Sequence, residues 1–481
     1  MSNIINDTYC LVFCRFINYV VLFITPVILV RVFTVENYGK YREFMICSGM
    51  LVNLAGFSIN KSLLYFLTKY KKTNGFVFNT IFLNGIITLF LIILLLLFEN
   101  KIFNFSYDFV YPLIIYLILF LNFDFCESYW IAVKKINYVW YYTTFRGLAR
   151  SCVVILTACI FDDIIIIIYG LLCVEFFRLI FVFIYSIRSE FLLTNFKLTK
   201  IKEHLSYIFP IGLSNIFFYL NKEISKFFIL FNLGVEYLAF YSIGSYQIPV
   251  VGIIRGSIGD IFFPEICKRN QKNINEGFLL WKKINIIYLA SILPVFMIFF
   301  YYAEFFINFM FTEKYLKSVV IFKIYICIMI KECFEVGTPL RSLNRNKYYA
   351  YGSLFGFISN ITILIIFSTI DMYIIPAVAY VVSDFVMFLY MARKVMFFYN
   401  INIKKIFFWK KIAKIFLISL VSAPVLFLNQ LFDFNILFEF IFCSTLYLII
   451  YLFLLDKLKI EELNYVKDKI KIFNKKKLVH V

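Results

Sequence analysis

Apolar runs about twenty residues long recur along almost the whole chain, separated by short hydrophilic gaps. A helix of about 20 such residues crosses the roughly 30 Å hydrocarbon core of a bilayer. The pattern predicts fourteen spans, over residues 10–31, 43–67, 76–98, 109–133, 138–161, 164–187, 205–231, 237–262, 284–309, 319–342, 348–369, 373–392, 412–430 and 434–455. What remains is divided among short connections, which leaves no room for a separate soluble catalytic domain. The expected fold class is therefore an all-α polytopic membrane protein.

Composition sharpens that reading. Of 481 residues, 62% are hydrophobic and 16% charged, against about 25% charged in soluble domains; mean hydropathy is +0.85. The gaps alternate between basic and nearly basic-free. With both termini placed in the cytoplasm, 32 of the 48 lysines and arginines fall in cytoplasmic segments, six in external ones and the rest within spans. Lys and Arg are retained on the cytoplasmic side, so the net charge of +19 reads as topology and no nucleic-acid partner is expected. Trp130, Trp140, Trp281 and Trp409 fall at cytoplasmic span ends, where an amphipathic ring favours the interface. The N-terminus shows no basic segment followed by a cleavage site, so the first span is expected to be retained. Eleven cysteines without a CxxC pair, and only His204 and His480, give no metal or cofactor site and no catalytic histidine.

Spans 1–6 end in the 188–204 loop and spans 7–12 in the basic 393–411 stretch, so each half starts and finishes inside. Val35-Glu36-Asn37-Tyr38-Gly39-Lys40-Tyr41 is echoed 200 residues later by Val235-Glu236-Tyr237-Leu238-Ala239-Phe240-Tyr241, with three of seven positions identical. Together these suggest two parallel six-helix repeats with a site between the lobes. The expected organisation is an N-terminal lobe over 1–195, a C-terminal lobe over 196–400, spans 13 and 14 within 401–455, and a basic cytoplasmic tail over 456–481.

The segment from Pro26 through Arg31, with Val35-Glu36-Asn37-Tyr38-Gly39 and Phe44, resembles the opening of Wzx-type polysaccharide (O-antigen) flippases. Pro210-Ile211-Gly212-Leu213-Ser214, Phe263-Pro264-Glu265 and Glu313-Lys314-Tyr315 are similar to later landmarks of that family, which belongs to the MOP exporter superfamily. The resemblance covers roughly residues 10–395, by topology more than by motif. It implies a V-shaped pair of six-helix bundles, with spans 13 and 14 as two extra C-terminal helices. It also implies translocation of undecaprenyl-pyrophosphate-linked oligosaccharide, an O-antigen or capsule repeat unit, from the inner to the outer leaflet of the bacterial inner membrane. No catalysis is implied. The implied partners are the lipid-linked oligosaccharide, membrane lipids and a polysaccharide polymerase downstream.

Charges inside spans cost about 2.5–3.5 kcal/mol each near the bilayer centre, so they face a cavity or a partner. Arg146 and Arg150 are four residues apart and share a helix face, as do Lys222 and Lys226. Neither arginine has an acid three or four residues away, nor do Lys222 and Arg255; these four are the leading candidates to line a cationic cavity. Arg178, Lys226 and Lys331 complete the expected substrate-binding set. A planar guanidinium suits a pyrophosphate because it offers paired donors. Glu175 with Arg178, and Lys331 with Glu335, read equally well as pairs that neutralise one another. Arg15 and Lys61 lie near the cytoplasmic interface, and Lys226 is close enough to the outer one to snorkel. Asp124, Glu127, Glu223, Glu335 and Asp384 are the carboxylates expected to couple transport to protons or sodium. Pro26, Pro210, Pro249, Pro294 and Pro376 fall within spans, and Gly252, Gly256 and Gly259 stripe span 8.

Three rivals stand beside the flippase reading. A MATE-type multidrug antiporter calls for an acidic cavity and twelve spans. A lipid II flippase shares fourteen spans and a basic cavity. A membrane polysaccharide polymerase calls for a sizeable external loop, which the pattern does not provide.

Overall fold

The computed structural model describes residues 17–457 except 19, 58, 70–73, 99–108, 122–123, 134, 162, 189–197, 199, 369–371 and 432–435. Arg15, the side chains of Lys61 and Asp260, most of the 188–204 loop and almost all of the 456–481 tail lie outside the described residues. Nearly all the described residues are helical and none is in a strand.

The chain divides into two compact units, Met1–Ser242 and Ile243–Val481. The lobe boundary expected near residue 195 thus falls within the first of them. Unit 1 contains α1 (Val20–Val32), α2 (Val35–Gly56), α3 (Ile59–Lys69), α4 (Asn74–Phe98), α5 (Val110–Leu121), α6 (Cys126–Ala132), α7 (Ile136–Ile160), α8 (Ile164–Arg188), α9 (Ile201–Leu233) and most of α10 (Val235–Gly244). Unit 2 continues with α11 (Pro249–Lys272), α12 (Ile274–Tyr301), α13 (Ala303–Phe311), α14 (Ser318–Ile326), α15 (Ile328–Glu332), α16 (Gly337–Ser342), α17 (Asn346–Ile366), α18 (Ile375–Phe398), α19 (Ile403–Ile406), α20 (Trp409–Ser422) and α21 (Ile436–Lys457).

Nine described helices are long and apolar enough to cross a membrane, and a bent pair, Val235–Gly244 with Pro249–Gly256, makes a tenth if counted as one span. The nine coincide with predicted spans 3–6, 9 and 11–14. The others depart from an uninterrupted apolar helix for physical reasons. α2 carries Glu36, Lys40, Arg42 and Glu43, and α9 carries Lys222, Glu223 and Lys226. Span 8 bends by 48° between α10 and α11. Span 10 is broken into α14, α15 and α16, and span 4, although one of the nine, is divided between α5 and α6. Span 2 is likewise divided between α2 and α3, so breaks fall in the second and fourth spans of each predicted six-span half.

Hydrophobic side chains do two jobs here. In unit 1, Phe66, Phe76, Phe125, Trp130, Val139 and Val182 close a core beside α3, α6, α7 and α8. Rows of large apolar residues such as Leu97, Phe145, Leu417 and Leu452 are exposed on the outside of the units, as a lipid solvent requires. Trp130 and Trp281 are buried in the protein, and the Trp281 indole N–H donates to the Glu335 carbonyl at 2.6 Å. Only Trp409 is a well-exposed ring of the kind predicted. In unit 2, phenol hydroxyls fasten α12 to the C-terminal pair: Tyr302 donates to the Leu426 carbonyl at 3.1 Å and Tyr451 to the Ala290 carbonyl at 3.0 Å.

Pro294 lies inside α12, whereas Pro249 and Pro376 stand in the first turns of α11 and α18, where a missing N–H is harmless. Gly252 and Gly256 face open space, so the glycine stripe of span 8 does not mark close packing within the described structure.

Candidate functional site

Arg146 and Arg150 project from one face of α7 onto α8, where Glu175 and Arg178 lie one turn apart. Glu175 is the focus. Its Oε1 accepts from Arg146 Nε at 3.3 Å, and Arg146 Nη2 donates to both carboxylate oxygens at 3.2 Å. Arg178 Nε stands 2.6 Å from Oε2 and Arg150 Nη1 3.6 Å from Oε1. The pairing of Glu175 with Arg178 is thus observed, with two more arginines on the same carboxylate. Arg146 and Arg150, unpaired by spacing along their own helix, find their acid on a neighbouring one.

The cluster extends on both sides. Arg146 Nη1 donates to Asp124 Oδ1 at 3.2 Å, in the interruption between α5 and α6. Asn60 also donates to Asp124, and buried Asn84 donates to Asn60 and to the Leu121 carbonyl. Arg150 donates to the Tyr116 hydroxyl at 3.2 Å. Arg178 donates to the Tyr142 hydroxyl at 2.9 Å and to the Leu119 and Phe120 carbonyls at 2.6 and 3.0 Å. Those two carbonyls belong to the last turn of α5, next to its break with α6. The buried guanidinium therefore completes the interrupted span 4. The Phe120 ring lies beneath both Arg146 and Arg178. Glu127 sits half-buried in the first turn of α6.

A second group lies between α2 and α9. Lys226 is buried and donates to Glu223 at 2.7 Å, so it does not snorkel. Lys222 and Arg42 act electrostatically on that pair. Tyr41, next to Arg42 on α2, feels both Arg42 and Arg150. α2 thereby links the arginines of α7 to the lysines of α9. Arg42 was read as an external-loop residue and Glu43 as the first residue of a span. Thr34 instead caps α2 by accepting from the Asn37 N–H, so both are two turns inside a helix. The cap, Thr34 followed by Glu36, was the available signal.

In unit 2, Lys331 is 2.6 Å from Asp384 Oδ2 and 3.0 Å from Glu332 Oε1, while Arg255 pairs with Glu332. Two cations and two acids from α11, α15 and α18 balance one another. The predicted Lys331–Glu335 pair does not form. Glu335 turns its carboxylate onto the Gly337 and Thr338 N–H groups at the start of α16, at 2.9–3.0 Å, and its own N–H donates to Asn285 Oδ1 at 2.8 Å. An acid thus mends the break in span 10 as an arginine mends the one in span 4. We expect Lys331→Met, which strands buried Asp384, to destabilise by about 3–5 kcal/mol. Adding Asp384→Asn should recover part of that loss, giving a coupling of about 0.5–3 kcal/mol in a double-mutant cycle read by denaturant unfolding.

A family model described as polysaccharide biosynthesis protein matches residues 28–320. No curated protein matches the chain. Among solved structures it is similar to the lipid II flippase MurJ in an inward closed conformation, with a TM-score of 0.73 at 16% identity, covering 94% of this chain and 98% of that one. It is also similar to inward- and outward-facing conformations of a multidrug resistance MATE family transporter of the MOP superfamily. Their TM-scores are 0.55 and 0.52 at 12% and 13% identity, covering 78% and 82% of this chain and 94% and 97% of those. At such identities the likeness establishes the fold, a multi-pass helical membrane architecture. The matched segment takes in more than half of the sequence, and the chain belongs to the polysaccharide biosynthesis protein family.

Proposed function

We propose that the protein is a flippase that moves undecaprenyl-pyrophosphate-linked oligosaccharide from the inner to the outer leaflet of the bacterial inner membrane by alternating access, with both termini cytoplasmic. The observation that carries this reading is the convergence of Arg146, Arg150 and Arg178 inside a transporter fold of a polysaccharide biosynthesis family. Three guanidiniums against Glu175 and Asp124 leave one net positive charge; Lys226 is balanced by Glu223, beside which stand the further cations Arg42 and Lys222. A membrane protein retains such charge at a cost, and a phosphate head that must cross the same membrane supplies its counterpart. The polyprenyl tail stays in lipid throughout, and no bond is made or broken.

A second reading is supported by one observation. The MurJ likeness spans 94% of the chain, against 78% for the inward-facing MATE transporter. A lipid II flippase therefore stands ahead of a drug antiporter. The surplus of cations in unit 1 points the same way, because a drug cation needs acids. The carboxylates expected to couple an ion, Asp124, Glu223 and Asp384, are each engaged by a cation, so coupling would proceed by exchange of partners.

Reconstitution into proteoliposomes with undecaprenyl-pyrophosphate-linked oligosaccharide tests the reading through accessibility of the glycan at the opposite leaflet. The native chain should move the substrate, and Arg146→Ala/Arg150→Ala, inserted equally well, should lose at least about tenfold in rate, the equivalent of one charged hydrogen bond. Movement of lipid II alone selects the second reading. Movement of neither, under proton or sodium gradients, rejects both.

A further inference from the structure

Exposure and hydrogen bonding separate the three arginines around Glu175. Arg178, with 3% of its side chain exposed, commits its guanidinium to Tyr142, Leu119, Phe120 and Glu175. Arg146, at 16%, is divided between Glu175 and Asp124. Arg150, at 24%, makes one hydrogen bond, to Tyr116, and its Nη1 stands 3.6 Å from Glu175, beyond hydrogen-bond reach. Glu175 itself is fully buried. The carboxylate thus sits at the buried end of the cluster, exposure rises from Arg178 through Arg146 to Arg150, and Arg150 makes the fewest hydrogen bonds of the three.

A carboxylate and a phosphate offer a guanidinium the same fork of oxygens. On the proposed flippase reading, on which this inference rests, we infer that Glu175 is an internal counter-anion. It holds Arg146 and Arg150 while the site is empty, and phosphate oxygens of the lipid-linked pyrophosphate take those two arginines from it. It remains paired with Arg178 throughout. Glu175 is a positioning residue that sets how strongly the site retains its ligand. Without it three guanidiniums would repel one another when empty and hold a phosphate too tightly to let it go. With it, binding is an exchange of anions and release is helped by the carboxylate's return.

The test uses the full chain in nanodiscs, with undecaprenyl pyrophosphate and inorganic pyrophosphate as separate probes and native mass spectrometry as the readout. Glu175→Gln should bind the lipid at least about tenfold more tightly than the native protein, since one charged competitor is gone. It should also gain thermal stability from the ligand and flip more slowly. Arg150→Gln should bind about tenfold more weakly with the Glu175–Arg178 pair intact. Tightening toward inorganic pyrophosphate as well assigns the contact to the phosphates alone; tightening toward the lipid alone assigns it to the whole headgroup, and both support the inference. Native protein that binds while folded Glu175→Gln binds equally or less well overturns it. Should Glu175→Gln not fold, Glu175→Asp keeps the charge but withdraws it by one methylene from Arg146 and Arg150. An unchanged affinity in that variant overturns the inference equally. Absence of lipid binding by the native protein rejects the substrate reading beneath it.

Discussion

Arg178→Ala is expected to destabilise unit 1 by about 3–5 kcal/mol, the range for breaking a buried ionic network from one side. The loss has two parts. Glu175 keeps two arginines but loses its nearest cation, at 2.6 Å. The Leu119 and Phe120 carbonyls lose their donor at an interrupted helix end, where lipid supplies no substitute. Arg178→Lys should recover only a part, because an ammonium has no fork to reach Glu175, Tyr142 and two carbonyls at once. Thermal unfolding of purified protein, with monodispersity as a second readout, checks both variants. Arg178→Lys matching the native protein would mean that charge alone matters and that the α5 carbonyls find other partners.

A second steric effect is expected where α2 meets the start of α10. A Cβ on Gly39 would run into the backbone carbonyl of Val235, which cannot rotate away as a side chain can. Gly234, at φ +87°, sets the turn from α9 into α10 and fixes that carbonyl in place. Gly39→Ala should cost about 1–3 kcal/mol as overpacking, and Gly39→Val more. Gly256→Ala is the matched control. It lies inside α11 with open space around it, so the change should be neutral or stabilising by up to about 1 kcal/mol through helix propensity. Equal stability of Gly39→Ala and Gly256→Ala would show that the α2–α10 approach is not a constraint.

Helix class and the membrane character of the chain were legible because the apolar runs are long and the basic residues are sorted by side. Nine of the predicted spans reappear as helices able to cross, often within a few residues. What hydropathy could not show is where polar residues continue a helix. α2 begins at Val35 and not near residue 43, because Thr34 caps it, and this shift carries Arg42 and Glu43 into the protein. The candidate cations were visible as residues but their partners were not. Spacing along one helix finds Glu175 with Arg178 and Glu223 with Lys226, but is blind to Glu175 with Arg146, Glu332 with Arg255, and Asp384 with Lys331. Lys331 and Glu335 show the opposite error. Four residues apart in sequence, they are parted by the break after α15, which sends Glu335 to the backbone of α16.

The phenols that tie α12 to the C-terminal pair have a practical consequence. Hydrogen bonds from Tyr302 to Leu426 and from Tyr451 to Ala290 lie where water does not compete, and Ser419 with Tyr447 adds another at 2.8 Å between α20 and α21. α12, α20 and α21 therefore move as one body. A spin label or fluorophore at exposed Leu452, on the outer face of α21, would report the orientation of α12. The C-terminal helices give spectroscopy a pointer bolted to the protein's interior.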